Sequence, residues 1–290
     1  MKRLLALVLA LSAALAAVAA PVELVDDAGQ RVQLPAPARR IVAITPHLTE
    51  MLFAAGAGDR VVGVSAWSDY PAAAKSLPQV GDSALLDLER IVALRPDLVL
   101  VWGNGSSAQQ IQRLRAARLP VFVSESRTLA HVATTLRQLG RLAGTEAVAE
   151  ARAADYERRL AELRARFAGR KPLVVFYQVW HQPLMTFNRE HVVDEALRLC
   201  GAVNPFAALK TLTPTVDVEA VMLADPDAIV TGSVDPTGSD NLDRWRSLKS
   251  LRAGRDPRRL IVVDPDRLHR STDRLADGIE ELCLKLDALR

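Results

Sequence analysis

Asp87-Leu-Glu-Arg-Ile-Val-Ala-Leu-Arg-Pro-Asp-Leu-Val-Leu-Val101 has a second copy in the same chain, Asp217-Val-Glu-Ala-Val-Met-Leu-Ala-Asp-Pro-Asp-Ala-Ile-Val-Thr231. The two align without gaps and share Asp87/Asp217, Glu89/Glu219, Pro96/Pro226 and Asp97/Asp227. Each copy reads as a short helix, a Pro-Asp break and a buried strand. Proline lacks the N–H a helix needs and restricts the residue before it. The apolar run that follows is too short for a helix and fits a parallel strand covered on both faces. Two copies imply two similar lobes, each offering a glutamate at the same place, and a chain gripped symmetrically by a two-fold partner.

The same alternation extends outward from both copies. Strands are expected at Arg40–Thr45, Val61–Ser65, Leu98–Trp102 and Val121–Ser124, with helical patterns at Glu50–Ala55, Asp87–Leu94, Ala108–Ala117 and Leu129–Leu142 between them. The second half repeats the style, with strands at Leu173–Gln178, Ala228–Thr231 and Leu260–Val263. Its helices are expected at Val192–Leu199, Val218–Leu223 and Asp273–Leu289. Strand–helix alternation argues an α/β fold, a mostly parallel sheet flanked by helices in each lobe. Between the halves, Thr145 to Phe167 carries no Gly or Pro, and Tyr156, Leu160, Leu163 and Phe167 form a helical stripe. One stiff helix of about 34 Å would join the lobes and limit their swing. The expected organisation is residues 1–19 as a signal peptide, 20–144 as the N-terminal lobe, 145–168 as the linking helix and 169–290 as the C-terminal lobe.

Lys2 and Arg3 precede an apolar run from Leu4, and Ala17-Val18-Ala19 has the small-x-small form of a cleavage site. The run falls short of the ~20 residues that span a bilayer. A cleaved signal with the cut near Ala19, and hence a periplasmic protein, is the expectation over a membrane anchor. The chain carries 37 Lys+Arg against 34 Asp+Glu, and without Lys2 and Arg3 the excess falls to one. Net charge therefore gives no argument for a nucleic-acid partner. Arg252, Arg255, Arg258 and Arg259 lie in a polar Pro/Gly-bearing stretch and read as a solvated loop. Cys200 and Cys283 would sit where disulfides persist. A bridge between them would stabilise by about 4 kcal/mol in the chain-entropy model, and the alternative is two buried thiols.

No Gly-x-Gly-x-x-Gly, P-loop, His-Glu-x-x-His or Gly-x-Ser-x-Gly is present. The histidines His47, His131, His181, His191 and His269 show no metal-ligand spacing, although His47 and His181 fall near expected cleft loops. No nucleophile–base or metal constellation is legible, so capture rather than catalysis is the expectation.

Ile41-Val-Ala-Ile-Thr-Pro-His-Leu-Thr-Glu50, Phe53-Ala-Ala-Gly-Ala57, Val62-Gly-Val-Ser-Ala-Trp-Ser-Asp-Tyr-Pro71 and Leu88-Glu-Arg-Ile-Val-Ala-Leu-Arg-Pro-Asp-Leu-Val99 follow in one order. Together they resemble the helical-backbone substrate-binding proteins of ABC importers, and among them the BtuF-type cobalamin-binding group. The likeness covers nearly the whole mature chain and returns at Leu197–Phe206 and Asp266–Leu286. It implies that Glu89 and Glu219, one per lobe, dock onto arginines of a two-fold permease coupled to its ATPase. It implies further that Trp67 and Trp102 are cleft aromatics, and that Asp266 and Arg270 contact amide and phosphate groups of a corrinoid. Cys200 and Cys283 match the group's disulfide. Ser83, Met185 and Thr213 stand where the group has large aromatics, and Trp180 is placed to refill that side.

The resemblance thus implies a monomeric carrier with cobalamin as cargo and no resident cofactor. A haem, cobinamide or siderophore-type metal chelate is the alternative within the family, with Tyr70, His47 or His181 on the iron in the haem case. An exported enzyme or a sensor domain is the alternative outside it.

Overall fold

The computed structural model describes residues 20–82, 85–235, 237 and 239–290. Residues 1–19, expected to be a signal peptide, and Ser83 lie outside the described residues.

An antiparallel hairpin opens the chain, β1 (Val22–Val25) on β2 (Arg31–Leu34), and was not legible in the sequence. The N-terminal sheet follows, with β3 (Ile41–Ala43), β4 (Val61–Val64), β5 (Leu98–Trp102) and β6 (Val121–Ser124) in the order β4-β3-β5-β6, all parallel. Its helices are α1 (Pro46–Ala54), α2 (Leu88–Ala93), α3 (Ala108–Ala116) and α4 (Leu129–Ala143). Helix α1 begins four residues before the sequence pattern shows, because proline is tolerated at the first helical position.

Gly144 closes α4 in the left-handed conformation at φ 65°, which glycine adopts without strain. The linking helix α5 (Glu146–Phe167) then buries Tyr156, Leu160, Leu163 and Phe167, the stripe the spacing predicts. In the C-terminal lobe, β7 (Leu173–Gln178), a second hairpin of β8 (Trp180–His181) and β9 (Leu184–Met185), and β10 (Ala202–Val203) are followed by β11 (Ala228–Gly232) and β12 (Leu260–Val263). The main sheet runs β10-β7-β11-β12, again four parallel strands. Its helices are α6 (Val192–Leu199), α7 (Val218–Ala224), α8 (Ser239–Ser247), α9 (Arg252–Arg255), α10 (Pro265–Leu268) and α11 (Leu275–Asp287).

The arginine-rich stretch read as a loop is instead a helical turn, α9, followed by a 3-10 turn at Pro257–Arg259. Its cations are engaged locally. Arg252 pairs with Asp225 and Asp227, and Arg258 with Asp256. Sequence periodicity carries no signal for turns this short.

The lobes are fastened in several ways. One continuous apolar core runs from Leu100 and Leu139 through Tyr156 and Leu160 of the linking helix to Val175 and Ile279. Arg152, Arg159 and Arg166, spaced two turns apart on α5, pair with Asp273, Asp277 and Glu280 at or on α11. Exposed pairs of this kind contribute little singly, so the shared core carries most of the coupling. Glu195 of α6 accepts from the Leu129 backbone N–H at 2.8 Å, across the lobe boundary.

Cys200 and Cys283 form a disulfide, with Cα atoms 4.7 Å apart, that ties the end of α6 to α11. Reduction, or Cys283→Ser, is expected to lower unfolding free energy by about 4 kcal/mol. Urea melts with and without reductant read this, and a midpoint unmoved by reductant contradicts it.

Candidate ligand cleft and docking face

Carboxyl ends of parallel strands are where α/β sheets present ligand sites, and those of the N-terminal sheet open on a cavity of about 730 Å³, its solvent-open mouth included, whose far wall comes from the C-terminal lobe. The N-terminal wall carries His47 after β3, Trp102 at the end of β5 and Arg127 beyond β6. The opposite wall carries His191 at the start of α6, with His269 and Arg270 just beyond α10.

Trp102 is half-buried and meets His47 edge-on, ring centroids 5.4 Å apart at 83°. Gly105 makes this pose possible, since a Cβ there would lie 1.9 Å from Trp102 Cε3. His191 stacks on Phe187 at 3.5 Å, and its Nδ1 accepts from the Val193 backbone N–H. His269 Nε2 is 2.7 Å from the Tyr177 hydroxyl. Burial pushes all three imidazoles down, to about 4 for His47, where Arg270 adds to the effect, about 3 for His191 and about 4 for His269. The cleft therefore offers neutral rings at physiological pH.

Arg270 reaches the wall already engaged. Its guanidinium bonds Glu50 Oε1 at 2.6 Å, Asp69 Oδ1 at 3.0 Å and Asp266 Oδ1 at 2.9 Å. Arg274 takes the other oxygen of Glu50 at 3.1 Å, and its guanidinium lies 3.9 Å from the centre of the Tyr70 ring. Glu50, on α1, has a side chain only 1% exposed. Burial raises its pKa against the pull of Arg270 and Arg274. The network joins one lobe to the other. Ser271 Oγ adds a bond to the Ser126 carbonyl at 3.2 Å.

Of the residues expected at the ligand, Trp102 and Arg270 stand on the cavity walls. Asp266 stands beside them as a partner of Arg270. Trp67 is 79% exposed at φ 65°, two residues before Asp69. Trp180 is 54% exposed, and its indole N–H bonds the Gln182 carbonyl inside the β8–β9 hairpin. Met185 is paired with Trp180 across that hairpin. His47 faces the cavity, whereas His181 is not part of its walls. Sequence reasoning did not single out His269, Glu50 or Asp69, because their partners lie far away in the chain, nor His191, whose place on the wall depends on how the lobes meet.

The repeated stretch now sorts by task. Asp87 caps α2 by accepting from the Arg90 N–H at 2.9 Å, and Asp217 caps α7 from the Ala220 N–H at 2.6 Å. Arg95 and Asp225, matched positions before the prolines, both turn the chain at positive φ, 47° and 39°. Asp97 accepts from the Arg39 and Arg40 N–H groups, and Asp227 from the Val174 N–H, tying each strand to its neighbour. Three of the four shared residues are thus explained by local structure in both lobes. Glu89 and Glu219 are not: both are exposed, and neither joins an ion pair among the described residues. One turn further on, Val92 and Met222, also matched positions, stand 45% and 39% exposed.

A family profile described as periplasmic binding protein matches residues 41–266. The vitamin B12-binding protein of Vibrio cholerae serotype O1 is 32% identical over 252 residues, covering 87% of this chain and 90% of that protein. The crystal structure of the periplasmic vitamin B12 binding protein BtuF of Vibrio cholerae superposes with a TM-score of 0.81 at 32% identity, over 87% of this chain and 98% of that one. The apo periplasmic heme-binding protein RhuT of Roseiflexus sp. RS-1 gives 0.77 at 26% identity, over 87% and 100%. With the profile spanning both lobes and the cleft between them, the chain belongs to the periplasmic binding protein family.

Proposed function

We propose that the mature protein, cut near Ala19, captures a cobalamin-class corrinoid between its lobes and delivers it to a two-fold ABC permease and ATPase. The observation that carries the ligand is the near-full-length similarity to vitamin B12-binding proteins, combined with an aromatic-walled cleft that retains Trp102. A corrinoid offers a broad apolar ring with a polar periphery. The indole of Trp102 supplies flat apolar contact area. Arg270, held in place by Glu50, Asp69 and Asp266, presents a fixed donor to amide and phosphate oxygens. Because the lobes share a core, the ligand enters a largely preformed cleft and little closure follows.

Tyr70 carries Arg274 on its ring and is not part of the cavity walls, which leaves His47 there as the candidate haem-iron ligand; haem takes second place because the near-full-length similarity is to vitamin B12-binding proteins. Its support is the similarity to the heme-binding RhuT. The loaded monomer docks through Glu89 and Glu219, with the apolar tips of Val92 and Met222 packing beside each charge pair.

Quenching of tryptophan fluorescence by cyanocobalamin tests the cleft. Trp102→Ala is expected to weaken binding by about 2 kcal/mol, roughly thirtyfold, as loss of a buried aromatic anchor does. An affinity unchanged by this substitution removes Trp102 from the site.

A further inference from the structure

His47 differs from the other imidazoles of the cleft. His191 spends a ring nitrogen on a helix cap, and His269 spends one on the Tyr177 hydroxyl. The His47 ring is steadied by its edge contact with Trp102 and lies on the cavity wall. Neither of its nitrogens has a hydrogen-bond partner among the described residues, and neither is sealed from the cavity. Ring nitrogens open to the cavity and unclaimed by the protein are free to exchange solvent for a group of the ligand.

What the ligand supplies follows from the surroundings. Among the described residues, no three His, Cys, Asp or Glu side chains converge to hold a bare metal ion. A metal that arrives inside a macrocycle already has its equatorial ligands and needs only one imidazole. Burial first, and the charge of Arg270 after it, disfavour an imidazolium at His47 and leave the lone pair available at neutral pH.

We propose that His47 ligates the cobalt of the bound corrinoid through a ring nitrogen when its upper coordination position carries exchangeable water. The step is a ligand exchange. The cobalt–oxygen bond to water breaks, a cobalt–nitrogen bond forms from the imidazole lone pair, and the water departs with its own electron pair. Neither the oxidation state nor the proton count changes. The inference rests on the corrinoid reading of the cleft and makes the protein selective for corrinoids with a labile upper position over those holding a tightly bound cyanide.

The test uses the mature protein with aquocobalamin and cyanocobalamin, read by calorimetry and visible absorption. The expected result is a shift of the bound aquocobalamin spectrum to that of an imidazole adduct, none for cyanocobalamin, and affinity for the aquo form about tenfold higher, near 1.4 kcal/mol. In His47→Gln and His47→Ala the shift disappears and the two affinities converge, while a thermal melt close to that of the wild type reports an intact fold. A shift that survives in both variants, or equal affinities without a shift in the wild type, overturns ligation by His47 and leaves corrinoid capture standing. Failure of both corrinoids to bind overturns both readings.

Discussion

Replacing Glu89 and Glu219 together with alanine is expected to abolish transporter-dependent uptake while leaving cobalamin affinity unchanged. Both carboxylates are exposed at matched positions and take no part in the structure around them, so their removal leaves the fold intact. Close charge pairs at protein interfaces show coupling energies of about 1.5–7 kcal/mol. Two pairs at about 2 kcal/mol each correspond to roughly a thousandfold loss of docking affinity, and each single variant to about thirtyfold. Glu89→Lys should act more severely than alanine, since it would set a like charge against the cation that the docking proposal requires on the partner. Uptake by the double variant at the wild-type rate would sink the docking assignment.

The second large effect concerns Glu50. Its carboxylate lies buried between Arg270 and Arg274 and holds both cations of the C-terminal lobe against α1 of the N-terminal lobe. Glu50→Ala leaves two partly buried guanidinium groups short of their counter-charge. Breaking a buried pair in this way costs about 3–5 kcal/mol. For a chain of this size that lowers the melting temperature by about 10 °C. Arg270 would also lose the partner that fixes its direction, so cobalamin affinity should fall with stability. A thermal melt within a degree or two of wild type would show that Asp69 and Asp266 suffice to hold the network.

The two-lobe architecture was legible because it is written in short-range signals. An aspartate cap, a proline and a strand-anchoring aspartate act within a few residues of where they stand, and they stand twice. Buried parallel strands announce themselves as apolar runs, and the Tyr156–Phe167 stripe follows helical spacing. The opening hairpin escaped notice since four alternating residues per strand give too little pattern.

The cleft was legible only in part. Trp102 ends a strand, which marks it, but the meaning of Arg270 depends on Glu50, distant by 220 residues in sequence. Read alone, Arg270 is a hand extended to a phosphate; in the structure that hand is already held by three carboxylates. The glutamates of the repeat were found in sequence by their pairing, and the structure adds that nothing local explains them.

The central claim is tested most directly by calorimetric titration of the mature protein with cyanocobalamin, with haemin in a parallel cell followed by absorbance. The account predicts tight one-to-one binding of cyanocobalamin and no Soret shift with haemin. A Soret shift with haemin and no heat from cyanocobalamin would contradict it, leaving a periplasmic binding protein whose cargo is an iron porphyrin.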